Sequence, residues 1–318
     1  MKILITGAAG FIGSHTAEAL KQQGYEISGI DNFSPYYDIT LKEQTAAELE
    51  RQGIEIMRAD LADETAYTNL PRDFNYIFHF AAQPGISADV SFEQYLRNNF
   101  SATKNVLAFA QRNTTLQLFV NISTSSVYGK DATGNEETVP MPFSYYGVTK
   151  LAGEQLALSY ARACKLNACS LRLFSVYGPR ERPDKLFTKL ISSIIDEKPF
   201  PLYEGSEKHV RSFTYVGDIV RGIISVISKA ADCNGQIINI GTEAEHTTQY
   251  GIETAEALLG KKALLQLLPP RPGDQFRTKA NIEKAKLLLD YQPSTTLEQG
   301  LSMQIDWYKK YFTANDAG

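Results

Sequence analysis

The sequence predicts an α/β protein: a doubly wound parallel sheet with a smaller C-terminal part. Three observations carry that prediction. Short apolar runs ("KILIT", "EISGID", "IEIMRAD", "YIFHFAA", "LQLFVNIS", "ACSLRLFSV") alternate with longer stretches of helical spacing ("SHTAEALKQQ", "FSATKNVLAFAQR", "YGVTKLAGEQLALSYAR"). Strand and helix in alternation imply parallel strands covered on both faces. A glycine-rich turn joins the first strand to the first helix, where such folds meet phosphate. After residue 177 the texture changes to Pro-rich turns at "GPRERPD" and "KPFPLY", then a strand at "QIINIG" and terminal helices, although "FTYVGDIVRGIISVI" reads as a return to the first part.

Composition bounds the function. A chain of 318 residues with 43% apolar residues can bury a full core. Its 32 basic against 36 acidic residues give a net charge of −4. That balance speaks against nucleic acid and against an anionic membrane surface as partners. Cys164, Cys169 and Cys233 show neither CxxC nor zinc-finger spacing. They read as filler of a reduced interior, and no metal site is expected. "MKILITG" enters a strand within a few residues and no apolar run approaches the ~18 residues of a membrane span, so the expectation is a cytoplasmic protein.

The first strand runs into "TGAAGFIG", which places Gly7, Gly10 and Gly13, with Phe11 and Ile12, between a strand and a helix. Glycines there allow a tight turn and let helix N-terminal N–H groups approach a pyrophosphate. The second strand ends in "GIDNF", so Asp31 follows Gly13 by 18 residues, with Asn32 after it. A carboxylate at that place bonds both ribose hydroxyls and repels a 2′-phosphate, which favours NAD over NADP. Asp60 and Leu61 close the third strand, where they can meet the adenine edge; a helix N-cap is the competing role for Asp60. Residues 1–176 are therefore expected to form an NAD-binding Rossmann domain, rejoined by a segment near 213–240, and residues 177–318 a substrate domain.

Two later stretches carry the chemistry. "YYGVTK" holds one Tyr-x-x-x-Lys pair, Tyr146 and Lys150, because four residues past Tyr145 lies Thr149. Positions i and i+4 share a helix face, so an ammonium and the charge of an oxidised nicotinamide would favour phenolate and make Tyr146 a base. "STSSVYG" follows the fifth strand and sets Ser123, Thr124, Ser125 and Ser126 in a row without a carboxylate. A polar turn at a strand end is the plain reading of four hydroxyls alone.

Together these pieces resemble the extended short-chain dehydrogenase/reductase family, in particular its nucleotide-sugar epimerases and dehydratases. The matching stretches are "TGAAGFIG", "HFAAQPG", "STSSVYG", "YGVTK", "LRLFSVYGPRERPD", "RSFTYVGD", "NIG" and "RPGD", nearly the full length in order. The resemblance implies a catalytic set of Thr124, Tyr146 and Lys150, with Ala81, Ala82, Gln83 and Asn99 along the cofactor. It also implies that Arg211 and Arg271 grip the diphosphate of a UDP-sugar with Asp274 nearby, a task suited to guanidinium forks. For Arg211 an exposed structural ion pair competes. A homodimer is the expected assembly.

The hydroxyl row separates the chemistries of that family. Relatives that eliminate water carry two acidic residues after the Thr, where this chain has Ser125 and Ser126, and uronate decarboxylases show a Glu in the stretch. What remains is 4-epimerisation with NAD kept as a recycled prosthetic group. If the sugar is a uronate, its 4-keto form is a β-keto acid; Ser125, Ser126 and Ser175, braced by Arg182, can hold the carboxylate out of alignment without adding negative charge. The expectation is a UDP-glucuronate 4-epimerase, with UDP-glucose and UDP-galactose second. A dehydratase, a decarboxylase or an idle NAD-binding sensor stand behind these. Two departures bear on the sugar: Ile86 to Asp89 in place of a common Arg after "AAQPG", and Lys185 in place of a common Met after "RPD".

Overall fold

In the computed structural model, which describes residues 1–87, 89–270 and 275–313, the alternation seen in the sequence becomes one continuous sheet. Its first half runs β1 (Lys2–Thr6), α1 (Phe11–Gln22), β2 (Glu26–Asp31), α2 (Ile39–Arg51), β3 (Glu55–Arg58) and β4 (Tyr76–His79). There follow α3 (Phe92–Leu96), a π-helical turn over Arg97–Ser101, α4 (Ala102–Ala110), β5 (Leu118–Thr124), β6 (Asp131–Ala132), α5 (Tyr145–Arg162) and β7 (Ala168–Leu173). The remainder comprises β8 (Val176–Tyr177), α6 (Leu186–Ile195), β9 (Pro199–Tyr203), β10 (Val210–Arg211), β11 (Thr214–Tyr215), α7 (Val216–Ser225), α8 (Ala230–Cys233) and β12 (Ile237–Ile240). It closes with β13 (His246–Thr247), α9 (Thr248–Leu259), β14 (Leu264–Leu268), β15 (Arg277–Thr278), α10 (Glu283–Leu289) and α11 (Leu297–Tyr308).

Seven strands form a parallel sheet in the order β12-β7-β5-β4-β1-β2-β3. The strand order reverses between β1 and β4, the point where open parallel sheets hold their ligands. β4, β5 and β7 are buried at every position, as a strand covered on both faces requires. One core cluster lies between the sheet and α1, α2, α7 and α10; the other packs α4 and the middle of α5 on the opposite face. β12 lies outermost beside β7, and α7 packs on α1, so both late elements join the sheet layer.

The later residues add a separate apolar cluster of Tyr177, Phe187, Leu190, Phe200, Ile252 and Leu301, where α6, α9 and α11 meet the two-stranded β9–β14 sheet. A four-stranded patch in the order β13-β10-β15-β6 joins residues from distant parts of the chain. Among the described residues no helix is long and apolar enough to cross a membrane. No three His, Cys, Asp or Glu side chains gather there as a metal site.

Candidate active site

A cavity of about 620 Å³ runs along the carboxyl ends of β1, β4, β5 and β7 and continues beneath α6, β9 and β10. Its first wall is the glycine turn. Gly7 has φ +70°, and a Cβ on Gly13 would lie 2.3 Å from the Gly7 carbonyl oxygen, so neither position tolerates a side chain without movement. Gly10 caps α1 without a side-chain bond and the first turn holds no acid, which leaves the N–H groups around Phe11 and Ile12 for an anion.

Asp31, 5% exposed, lines the cavity at the end of β2. Its carboxylate accepts from Ala9 N–H (3.2 Å) and Phe33 N–H (2.8 Å) and pairs with Lys42 (3.4 Å). Asn32 beside it accepts from Ser34 N–H at 3.1 Å. Asp60 lines the wall and accepts from Ala62 N–H (2.9 Å) while pairing with Arg97 (2.8 Å), so it organises the turn after β3 as well as facing the cavity. Leu61, Ala81, Ala82 and Gln83 complete this side.

Asn99, expected along the cofactor, is buried beside the cavity wall with its amide bonded to the chain. Its Oδ1 accepts from Gln83 N–H (2.6 Å), and its Nδ2 donates to Gln83 O (3.3 Å) and Thr149 Oγ1 (3.1 Å). The π-turn directs it inward, so it fixes the cavity wall from behind.

β5 ends at the hydroxyl row. The Thr124 hydroxyl accepts from Ser126 N–H at 3.2 Å and caps a tight turn over Ser125–Tyr128. Thr124, Ser125 and Ser126 are buried to 9% exposure or less and all line the cavity. Across from them α5 starts at a Ser144 N-cap, whose hydroxyl accepts from Gly147 N–H at 3.1 Å. Helical spacing then sends Tyr146 and Lys150 into the cavity and leaves Tyr145 58% exposed, its ring against Phe92. The Tyr146 phenol stands near the Thr124 hydroxyl, which favours its ionised form. Lys150 donates to the Ile122 carbonyl.

Burial pushes the Tyr146 phenol above its ordinary value, against the pull of the Thr124 hydroxyl and the Arg182 charge. Burial also pushes Lys150 down to about 8, against the pull of Glu154. The chain by itself therefore does not bring the phenol to neutral pH.

Arg182 lines the cavity near Tyr146, paired through Nε and Nη2 with Asp184 (2.9 and 2.8 Å) and set 5.4 Å from the Tyr36 ring centre. Ser175 stands at φ +34° with its hydroxyl 3.1 Å from Thr278 Oγ1. At the far end Arg211 lines the cavity, with Nη1 donating to Val210 O at 3.0 Å and Nη2 to Gln275 O. Pro201, Leu202 and Tyr203 of β9 form a flat wall there. Arg271 and Asp274 lie outside the described residues.

A dinucleotide fits this frame on the structure's own terms. The glycine turn leaves space where any Cβ would intrude, and the Asp31 carboxylate stands on the same cavity wall at the end of β2. Two buried groups on the cavity wall, Gln83 Nε2 and Ser123 Oγ, have no hydrogen-bond partner among the described residues, a costly state that a polar ligand relieves.

The model of the family described as NAD dependent epimerase/dehydratase matches residues 3–241. The chain belongs to the NAD dependent epimerase/dehydratase family. Its cofactor is accordingly NAD. Among curated relatives, this epimerase/dehydratase is 38% identical over 322 residues to "Uncharacterized UDP-glucose epimerase YtcB" of Bacillus subtilis, covering 98% of this chain and 99% of that one. It is 33% identical over 332 residues to UDP-glucuronate 4-epimerase 2 of Arabidopsis thaliana, covering 98% of this chain and 76% of that one. Among solved structures, the UDP-glucuronic acid 4-epimerase of Bacillus cereus, in complex with UDP-glucuronic acid and NAD, superposes with a TM-score of 0.92 at 37% identity over 98% of this chain and all of that one (100%).

Some cavity residues of this family member escape a sequence reading. Tyr36, Tyr37 and Lys42, from "SPYYDITLK", line the wall after Asp31, as does Gly85 after Gln83. Their one signal is an aromatic pair in a polar loop directly beyond the ribose carboxylate.

Proposed function

We propose that the protein is an NAD-dependent UDP-glucuronate 4-epimerase that interconverts UDP-glucuronate and UDP-galacturonate. The observation that carries this reading is the cavity wall around Tyr146: hydroxyls of Thr124, Ser125, Ser126 and Ser175 with the Arg182 guanidinium, and no carboxylate in the hydroxyl row. A carboxylate on the sugar meets donors there and no opposing charge in the row.

In this reading Tyr146 removes the proton of the C4 hydroxyl and Thr124 shares that oxygen. Lys150 supports the phenolate by its charge. Held along the glycine turn, NAD would supply a reversible hydride acceptor, and C4 inverts when the 4-keto sugar turns over between the two transfers. Gly7, Gly10, Gly13, Asp31 and Gln83 hold the dinucleotide. Ser125 and Ser126 donate to the C6 carboxylate and keep the C5–C6 bond out of line with the C4 carbonyl, which suppresses loss of carbon dioxide. Arg182 braces them, and Arg211 takes the diphosphate.

The same reading divides the labour along the chain. Residues 1–176, joined by 213–240, hold NAD, and the rest of 177–318 holds the nucleotide sugar. A homodimer in the cytoplasm completes it. Support for the dimer comes from α3 and α5, where Phe92 (37%), Leu96 (38%) and Val148 (43%) leave an apolar face exposed for a second copy.

The test is incubation of the purified protein with UDP-glucuronate, UDP-galacturonate, UDP-glucose and UDP-galactose, with products resolved by proton NMR. Interconversion of the two uronates is expected. Turnover confined to the neutral hexoses would overturn the uronate assignment and leave 4-epimerisation standing.

A further inference from the structure

One turn beyond Lys150 on α5, Glu154 is fully buried and forms a fork with Arg172 of β7: Nε to Oε2 at 3.0 Å and Nη2 to Oε1 at 2.6 Å. Ser170 Oγ donates to the same carboxylate at 3.3 Å and accepts from Asn121 Nδ2 of β5 at 2.9 Å. The Arg172 guanidinium lies 4.7 Å from the ring centre of Tyr128, the last residue of the turn that carries Ser125 and Ser126. Tyr128 OH in turn donates to Asn239 Oδ1 of β12 at 2.8 Å. One ion pair thus joins the helix bearing Tyr146 and Lys150 to β7, and through Asn121 and Tyr128 β7 reaches the strand and turn bearing the hydroxyl row.

A buried ion pair is a poor source of stability, since an apolar pair of the same volume does as well or better. Its place beneath the candidate reacting centre points to another role. We propose that Glu154, anchored by Arg172, is a positioning residue for catalysis: it fixes α5 in register with the hydroxyl row and supplies the counter-charge that keeps the Lys150 ammonium protonated beside Tyr146.

The surroundings of Lys150 support this. The groups that act on it are Glu154 on α5, the Ile122 carbonyl on β5, and His79 on β4, whose ring is held neutral by burial; Arg172 on β7 acts through Glu154, and Tyr146 lines the same cavity one turn earlier on α5. Glu154 is the one anion among them. Without it, burial alone acts on the ammonium, and a neutral Lys150 no longer favours phenolate at Tyr146. The inference rests on the assignment of Tyr146 as base.

The experiment compares the holoenzyme with Glu154→Gln and with the charge-free pair Glu154→Gln/Arg172→Met, which avoids a lone buried guanidinium and keeps the fold if the single variant does not. Two readouts are used. In the pH profile of kcat, the ascending limb moves up by about one pH unit in Glu154→Gln, as loss of one charge a helical turn away from a buried ammonium implies, and by less in the double variant, which also removes the Arg172 charge. In ε-¹³C-lysine NMR, the Lys150 resonance, assigned with Lys150→Met, titrates at lower pH than in the parent by a similar amount. An unmoved limb and an unmoved Lys150 titration in the double variant would overturn the proposal, whatever the change in rate. Near-normal turnover of Tyr146→Phe would instead overturn the base assignment, so the two failures are told apart.

Discussion

Arg182 lies against Gly85: a Cβ built on Gly85 would stand 2.8 Å from Arg182 Nη2, and Gly85 holds φ +77°. The loop between β4 and α3 is pinned in that place by Tyr95, whose hydroxyl donates to Gly85 O at 2.7 Å and accepts from Ser87 N–H at 3.2 Å. Gly85→Ala is expected to destabilise the fold by only about 1 kcal/mol, the cost of a side chain at positive φ. Function suffers more, since Arg182 must leave its fork with Asp184. The expected result is a raised KM for UDP-glucuronate with a melting temperature near that of the parent; an unchanged KM would show that Arg182 does not meet the sugar.

Tyr146→Phe is expected to lower turnover by on the order of 10²–10⁴, because a general base is removed while packing is kept. Substrate affinity, measured by calorimetry, changes little. Near-normal turnover would move the base elsewhere, and the exposed Tyr145, turned toward Phe92, is not positioned to replace it.

Replacing both Ser125 and Ser126 by Ala should let the 4-keto intermediate of UDP-glucuronate align its carboxylate and lose carbon dioxide. The readout is a UDP-pentose, or its 4-keto form, among the products of the double variant and very little from the parent. A variant that loses rate but releases no carbon dioxide would assign alignment control to Ser175 and Arg182.

Asp31→Ala is expected to weaken retention of NAD through gel filtration, read from absorbance after acid release. The carboxylate also accepts from Ala9 and Phe33 N–H groups, so some loss of stability accompanies it. A parent protein that prefers NADP would contradict the ribose assignment.

Stability is expected to fall with acid through His79. Thr103 Oγ1 commits its hydrogen to Asn99 O at 2.8 Å, so His79 Nε2–H donates to Thr103 (2.9 Å) and Nδ1 accepts from Thr6 (2.8 Å). That neutral tautomer is enclosed, and burial pushes the ring from 6.5 down to about 3. Between those values the unfolded chain binds a proton that the folded chain does not. The contribution is therefore complete above pH 6.5 and is lost progressively as pH falls toward 3. His15, pushed down to about 4 mainly by burial, acts in the same sense. Urea midpoints at pH 5 and pH 7.5 should differ less in His79→Gln than in the parent; equal differences would remove His79 from the account.

The sheet was legible because its signals are local: alternating apolar runs, and glycines between a strand and a helix. Tyr146 could be separated from Tyr145 by counting to Lys150, which is helix geometry. Asn99 came from the resemblance alone, and the π-turn over Arg97–Ser101 that sets its side chain has no signal in the sequence. The Glu154–Arg172 pair was invisible because a helix residue and a strand residue 18 positions apart meet only through tertiary packing. Tyr36 and Tyr37 were missed because a loop has no period from which to infer direction, and Lys42 because its pairing with Asp31 is set by tertiary packing.

The placement of β12 also bears on how the chain is made. β7 ends at Leu173, and the strand that covers its outer edge begins at Ile237, 64 residues later. During vectorial synthesis the N-terminal strands and helices emerge with β7, a strand buried at every position in the fold, still bare at its edge. An open edge of that kind is a template for pairing with other chains. Nascent chains stalled or cleaved between these points carry a sticky strand, which makes residues 174–236 the interval in which this protein depends most on chaperone cover.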